Sequence, residues 1–127
     1  MGKPKILVAE DERDIRELIV FSLQLQEYDI TDVPNGAEAV EQANKLKPDL
    51  ILMDVRMPKM TGYDACKTLK SQAATKDIPI IFLSAKGQDT EIQQGKDLGA
   101  EEYLLKPFAP DELLDKVADI LKKYNKL

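Results

Sequence analysis

Short apolar runs alternate along the chain with segments in which apolar residues recur every three or four positions. The short runs are typical of β-strands, and three of them are nearly continuously apolar, as expected for strands covered by helices on both faces. The predicted strands are Lys5 to Ala9, Asp29 to Val33, Leu50 to Asp54, Ile80 to Ser84 and Glu102 to Leu105. This alternation predicts an α/β fold built from five βα units.

The helical segments differ in how many large apolar residues they place on one face. The predicted faces of the first, second and last helices are, in turn, Ile15, Leu18, Ile19 and Leu25; Ala39, Val40, Ala43 and Leu46; and Leu113, Leu114, Val117, Ile120, Leu121 and Tyr124. A fourth candidate, Asp89 to Leu98, has few large apolar anchors and contains Gly95. A mid-helix glycine costs about 0.5–1 kcal/mol relative to alanine, so we expect this helix to be the loosest element.

Capping residues mark several helix starts. Asn35 with Glu38, and Thr61 with Asp64, each place a short polar acceptor three residues before an acid. This spacing satisfies free amides in a first helical turn and predicts the starts of the second and third helices. Ala109 stands where the last helix would be capped, and alanine caps about 1 kcal/mol less well than serine or aspartate.

Short connections between βα units imply right-handed crossovers and a parallel, doubly wound sheet. Ligands of such sheets bind beyond the carboxyl ends of the strands. The predicted strand ends bring together Glu10-Asp11-Glu12, Asp54, Ser84 and Lys106. Clustered carboxylates need a cation, and Mg²⁺ prefers oxygen ligands. With an ammonium and a hydroxyl opposite, such a site suits phosphoryl transfer to a carboxylate.

Composition narrows the classes of function. The 127 residues suit one domain, spanning 1–127, and include no histidine, which excludes Ser-His-Asp triads, zinc sites that need imidazole and a role as histidine phosphodonor. Cys66 is the only cysteine and forms no internal disulfide. A formal charge of -5 argues against direct nucleic-acid binding, and the short apolar runs exclude a membrane-spanning helix. We expect a cytoplasmic protein.

Five motifs, in order and at matching spacing, resemble those of the receiver domain of two-component response regulators. The receiver type that they resemble is the stand-alone, chemotaxis-regulator-like one. They are Val8-Ala9-Glu10-Asp11-Glu12, Asp54-Val55-Arg56-Met57-Pro58, Gly62, Ser84-Ala85-Lys86 and Lys106-Pro107-Phe108. The resemblance spans essentially the whole chain. It implies a five-stranded, flavodoxin-like sheet with strand order 2-1-3-4-5.

The resemblance also implies roles for individual residues. Asp54 would accept a phosphoryl group from a sensor histidine kinase or a histidine phosphotransfer protein. Mg²⁺ would be held by Asp11, Asp54 and the backbone carbonyl of Arg56, with Glu10 acting through a water molecule. Ser84 and Lys106 would each contact a phosphoryl oxygen. On this view the chain is a signalling phosphoacceptor that assists its own phosphorylation and dephosphorylation, and not an enzyme.

A second group of implied roles concerns shape and switching. Met57-Pro58 and Gly62 would shape the loop after the acceptor strand, and Lys106-Pro107 would be a cis peptide. Ser84 and Tyr103 would form a switch in which Tyr103 turns inward on activation. The switch would act on a downstream protein at the face made by the fourth helix, fifth strand and fifth helix.

Departures from the family pattern suggest tuning of the site. Glu10 stands where many receivers have aspartate, which should preserve metal binding through a longer arm. Arg56 and Lys86 flank the expected site, and two cations there would attract anionic donors and alter the lifetime of the phosphoryl group. The alternative is that the side chains of Arg56 and Lys86 form ion pairs with nearby acids, namely Glu10, Glu12 or Glu38.

Other classes of function stay open at this point. A flavodoxin-like cofactor binder would share the sheet, but the acids after the first strand would repel a cofactor phosphate. A phosphatase with an aspartyl intermediate would place its nucleophile after the first strand. The chain is expected to be either a complete single-domain receiver, slightly favoured by its Lys-rich end, or a receiver fragment of a larger regulator or hybrid kinase. A phosphorylation-independent interaction module is the last alternative.

Overall fold

The computed structural model describes residues 2–85 and 89–127. The five strands are β1 (Lys5–Ala9), β2 (Asp29–Val33), β3 (Leu50–Asp54), β4 (Ile80–Ser84) and β5 (Glu102–Leu105). The helices are α1 (Arg13–Gln24), α2 (Gly36–Leu46), α3 (Gly62–Lys70), α4 (Asp89–Asp97) and α5 (Pro110–Lys123). All strand pairs are parallel, and the sheet order is β2-β1-β3-β4-β5. The predicted α/β fold and strand order are confirmed, with the strand bounds as predicted.

Alternate residues of each strand enter one of two hydrophobic layers. On β1, Leu7 and Ala9 join the layer shared with α2 and α3, whereas Ile6 and Val8 join the layer shared with α1 and α5. Both faces of the sheet are therefore covered, which explains why β1, β3 and β4 are nearly continuously apolar. Among the described residues, no helix is long and apolar enough to cross a membrane.

The apolar face predicted for α1 is partly wrong. Leu18 is 49% exposed and Leu25 is 66% exposed, whereas Ile19, Ser22 and Leu23 are buried. The helix carries two apolar stripes, and the buried stripe includes Ser22. Periodicity alone therefore assigned Leu18 and Leu25 to the buried face in place of Ser22 and Leu23. The other stripe faces solvent.

The capping and α5 predictions are confirmed. The Asn35 side chain accepts a hydrogen bond from the Glu38 amide at 2.9 Å, and Thr61 Oγ1 accepts one from the Asp64 amide at 3.1 Å. On α5 the predicted face is buried or half-buried throughout its length. Ala109 offers no side-chain acceptor at the helix start, although Glu112 Oε1 accepts from the Ala109 amide at 3.1 Å.

Gly95 allows α4 to approach the sheet closely. A Cβ at this position would lie 2.9 Å from a ring carbon of Phe82 and 3.2 Å from one of Tyr103. Such contacts are tighter than almost any real Cβ makes. The glycine that weakens helix formation is therefore what seats α4 on these two rings.

Candidate functional site

The carboxyl ends of β1, β3, β4 and β5 surround a cleft of about 230 Å³. The residues predicted for the site from these strand ends line the cleft, namely Asp11, Glu12, Asp54, Ser84 and Lys106, with the exception of Glu10, which is fully buried behind it. Arg56 lines the cleft as well. Lys86 lies outside the described residues, so its predicted place beside the cleft stays a prediction.

Backbone pairing fixes the order of these side chains. Asp54 is the last residue of β3 and pairs with Leu83, so that Ser84 lies one residue beyond it on the neighbouring strand. The Val55 amide donates to the Leu83 carbonyl at 3.0 Å, and the Lys106 amide donates to the Ser84 carbonyl at 2.7 Å. Strand register thereby brings the acceptor candidate, the hydroxyl and the lysine to one edge.

Three carboxylates crowd the cleft. Glu10, Asp11 and Asp54 each offer an oxygen, and these atoms all lie within 4.8 Å of one another. Glu10 is fully buried and Asp54 is 5% exposed, whereas Asp11 is exposed. Burial, followed by a hydrogen bond and charge repulsion from Glu10, raises the pKa of Asp54 from 3.8 to about 7. The cluster therefore favours a proton or a cation at this place.

Lys106 lies between two of these acids. Its Nζ is 2.6 Å from Glu10 Oε1 and 3.4 Å from Asp54 Oδ1. Burial alone would lower the pKa of this ammonium, but the hydrogen bond to Glu10 and the charge of Asp54 outweigh it and raise the pKa. Lys106 is thus ion-paired with Asp54, and the longer Glu10 side chain is its closer partner.

Backbone and side-chain donors fix the position of Glu10. The Glu12 amide donates to Glu10 Oε2 at 3.3 Å, and the Arg16 guanidinium donates to the Glu10 carbonyl at 2.8 Å. Arg16 is itself paired with Asp32 at 3.1 Å. Sequence reasoning missed Arg16, because nothing in the helical pattern of α1 distinguishes it from a solvent-facing cation.

The loop after β3 folds back onto the acceptor strand at Gly62. A Cβ at Gly62 would overlap the carbonyl oxygen of Asp54, and the Gly62 amide donates to the Val55 carbonyl at 2.8 Å. Only glycine fits this approach, which accounts for the shaping role expected of Gly62. The Lys106–Pro107 peptide is cis, as predicted.

Tyr103 points into the protein. Tyr103 is only 6% exposed, and its hydroxyl lies 3.1 Å from the hydroxyl of Tyr63. The Phe82 ring meets both tyrosine rings edge to face. Sequence reasoning missed Tyr63; the available signal was an aromatic residue directly after the loop glycine.

A second, mainly apolar pocket of about 330 Å³ adjoins the cleft. It is lined by Ile15, Leu18, Pro107 and Phe108, and it shares Glu12, Ala85 and Lys106 with the cleft. The exposed side chains of Leu18, Phe21 and Leu25, here called the α1 stripe, lead away from this pocket along the helix. The charged cleft therefore has an apolar surface beside it.

The fold and the cleft define a doubly wound α/β domain with an acidic site at the carboxyl ends of its strands, and comparison with known proteins identifies the family. A model of the response regulator receiver domain matches residues 6–118. The chain belongs to this family, so the resemblance to receiver domains is confirmed, whereas the stand-alone type stays a prediction.

Curated relatives include larger regulators. The chain is 36% identical over 124 residues to the DNA-binding dual master transcriptional regulator RpaA of Synechocystis, covering 98% of this chain and 52% of that protein. It is 40% identical over 119 residues to the alkaline phosphatase synthesis transcriptional regulatory protein PhoP of Bacillus subtilis, covering 94% and 49%. The chain thus spans about half the length of these relatives.

Solved structures with the same fold include single receivers. The chemotaxis response regulator CheY4 of Vibrio cholerae superposes with a TM-score of 0.90 at 34% identity, over 94% of this chain and 100% of that one. The receiver domain of sensor histidine kinase PA1611 of Pseudomonas aeruginosa gives 0.88 at 30% identity, over 95% and 99%, and that protein has a magnesium ion coordinated in its active site cleft.

Proposed function

We propose that Asp54 accepts a phosphoryl group from a phosphohistidine. An oxygen of Asp54 bonds to phosphorus as the phosphorus–nitrogen bond of the donor breaks, which leaves an acyl phosphate on Asp54 and returns imidazole to the donor. The observation that carries this proposal is the placement of Asp54, nearly buried at the end of β3, in a cleft with an ammonium and a hydroxyl. The family to which the chain belongs has this phosphoacceptor role in general.

Mg²⁺ fits the oxygen donors of the cleft. We assign it to Asp11, Asp54 and the backbone carbonyl of Arg56, with Glu10 acting through a water molecule. The fit rests on three carboxylates with oxygens within 4.8 Å and on the raised pKa of Asp54, since both favour a cation. When bound, the ion supplies positive charge that offsets the charge of the phosphoryl oxygens.

Lys106 and Ser84 act on the phosphoryl group from the other side of the cleft. The Lys106 ammonium pairs with one phosphoryl oxygen. Its Nζ already lies 3.4 Å from Asp54 Oδ1, the carboxylate to which the phosphoryl group is attached. The Ser84 hydroxyl donates a hydrogen bond to another oxygen. These groups assist phosphorylation and dephosphorylation of the chain itself, so the chain acts as a signalling phosphoacceptor and does not turn over an external substrate.

The phosphohistidine lies outside these 127 residues, because they contain no histidine. We assign the role of phosphodonor to a sensor histidine kinase or a histidine phosphotransfer protein. Such a partner has to bring an imidazole into the cleft, and the adjoining apolar pocket and the α1 stripe give it a surface on which to pack. A cytoplasmic location of the chain is consistent with these partners.

The output of phosphorylation is a change at the face formed by α4, β5 and α5. Ser84 ends β4 inside the cleft, and Tyr103 lies on β5 beneath α4. Repositioning these two side chains would alter how α4 is seated, and a downstream protein would bind that face. Some relatives bind DNA, but the net charge of -5 makes direct nucleic-acid binding by this chain unfavourable.

Intact mass measurement tests the proposal. The native chain, Asp54→Asn and Asp119→Asn are incubated with Mg²⁺ and a small acyl-phosphate donor. Asp119 is an exposed carboxylate on α5 and serves as the matched control. We expect one phosphoryl adduct on the native chain and on Asp119→Asn, none on Asp54→Asn, and none after chelation of the metal. An adduct that persists in folded Asp54→Asn would contradict the assignment.

A further inference from the structure

Three aromatic side chains form a connected group between the cleft and α4. Tyr63 and Phe82 have ring centroids 5.1 Å apart with planes at 88°, and Phe82 and Tyr103 have centroids 6.1 Å apart with planes at 64°. The two tyrosine hydroxyls meet at 3.1 Å. We propose that Tyr63 is a positioning residue whose hydroxyl holds Tyr103 inward and thereby favours the signalling arrangement of the α4-β5-α5 face.

The hydroxyl pair gives the inward orientation a specific partner. A buried phenol that lacks a hydrogen-bond partner is unfavourable, and a tyrosine that rotates outward regains water. The Tyr63 hydroxyl replaces that water for Tyr103, which is only 6% exposed. Because Phe82 packs edge to face against both rings, this packing and the hydroxyl pair stabilise the same inward arrangement.

Tyr63 is joined to the acceptor through the backbone. It directly follows Gly62, whose amide donates to the Val55 carbonyl and whose lack of a Cβ lets the loop rest on the Asp54 carbonyl. Tyr103 lies three residues before Lys106 on the strand that supplies the cleft lysine. The hydroxyl pair therefore connects two segments that both contribute residues to the phosphoacceptor site.

The same pair supports α4. Gly95 of α4 faces the Phe82 and Tyr103 rings at distances that exclude even a methyl group. An outward Tyr103 would leave space beneath Gly95, so the seat of α4 depends on the inward ring. Tyr63 therefore acts on the output face without contacting either the phosphoryl group or the partner.

The first test compares Tyr63→Phe with the native chain by NMR of isotope-labelled tyrosine rings, without phosphodonor. Tyr63→Phe keeps the ring that packs on Phe82 and removes only the hydroxyl. We expect the ratio of inward to outward Tyr103 to fall about 2- to 10-fold, the effect of one net hydrogen bond. Tyr28→Phe, which removes the hydroxyl of a buried tyrosine in the other layer, should leave the ratio unchanged. An unchanged ratio in Tyr63→Phe would overturn the inference.

The second test examines the link to phosphorylation, which rests on the proposed function. Beryllofluoride, with which a related receiver has been activated, is titrated with Mg²⁺ onto the native chain, Tyr63→Phe, Tyr103→Phe and the double variant. If the inward ring favours the phosphorylated state, Tyr63→Phe weakens binding by up to about 10-fold when Tyr103 is present and has little effect in the Tyr103→Phe background, where no phenol at position 103 needs a partner. Additive losses, or none, would overturn the coupling.

The two proposals fail in different ways. If the native chain forms no adduct with either beryllofluoride or an acyl-phosphate donor while the Tyr103 ratio shifts in Tyr63→Phe, the phosphoacceptor function is wrong and the positioning role of Tyr63 stands. If the adduct forms and the Tyr103 ratio does not shift, the phosphoacceptor function stands and the role of Tyr63 is wrong.

Discussion

Replacing Asp54 by asparagine should stabilise the metal-free protein at neutral to basic pH. In the folded state the Asp54 carboxyl has its pKa raised from 3.8 to about 7 by burial and by Glu10. Its contribution to stability is therefore fully present below the unfolded pKa and is lost as the pH rises through the folded pKa. Asparagine carries no charge at any pH, so it removes this loss.

The magnitude follows from the shift. A rise from 3.8 to about 7 corresponds to at most about 4 kcal/mol, at about 1.4 kcal/mol for each tenfold change in the ionisation constant. One edge of the Asp54 carboxylate opens onto the cleft, where water and counter-ions screen its charge. We therefore expect Asp54→Asn to raise the free energy of unfolding by about 1–2 kcal/mol at about pH 8 and by close to zero at about pH 4.

Urea denaturation with a metal chelator present measures this difference. The native chain, Asp54→Asn and Asp119→Asn are compared across the same pH range, and Asp119→Asn should follow the native chain because its carboxylate is exposed. The reasoning is refuted if Asp54→Asn gains nothing at the basic end. It is also refuted if the gain is equal at both ends, because the effect would then not come from ionisation of Asp54.

Other predictions concern the metal, the cap, the apolar stripe and the edges of the cleft. Mg²⁺ at a hundredfold excess over its dissociation constant should stabilise the native chain by about 2.7 kcal/mol and Asp54→Asn by less; equal stabilisation in calorimetry would argue against the assigned ligands. Ala109→Ser should raise the free energy of unfolding by about 1 kcal/mol in urea, since α5 lacks a side-chain cap; an unchanged free energy of unfolding would refute the capping argument. Phe21→Ser should slow transfer from a phosphorylated histidine phosphotransfer protein and leave labelling by a small donor unchanged, because only the protein donor packs on the α1 stripe; equal slowing of both would refute a docking role. The Arg56→Ala, Lys86→Ala double variant should change the rate of dephosphorylation, and a rate equal to that of the native chain would refute electrostatic shielding by these cations.

The central strands β1, β3 and β4 could be predicted closely because each is a short apolar run with covered faces. The same reasoning worked on α5, where the apolar stripe is continuous from Leu113 to Leu121. It failed on α1, where Leu18 is exposed and Ser22 is buried. Two competing apolar stripes on one helix give similar periodicity, and only packing against the sheet decides between them.

The membership of the cleft could be predicted from the strand ends, but its contacts could not. Parallel strands bring their carboxyl ends to one edge, which placed Asp54, Ser84 and Lys106 together. The closer approach of Lys106 to Glu10 than to Asp54 depends on side-chain length and rotamer. The contact between Tyr63 and Tyr103 joins residues far apart in the chain, and no local pattern reports it.

Locating the acyl phosphate tests the central claim most directly. The native chain is phosphorylated by a phosphorylated histidine phosphotransfer protein, reduced with borohydride, which converts an aspartyl phosphate to homoserine, and then analysed by peptide mass spectrometry. Homoserine is expected at position 54 and at no other aspartate. Homoserine at another position, or phosphoryl transfer that Asp54→Asn supports as well as the native chain, would contradict it.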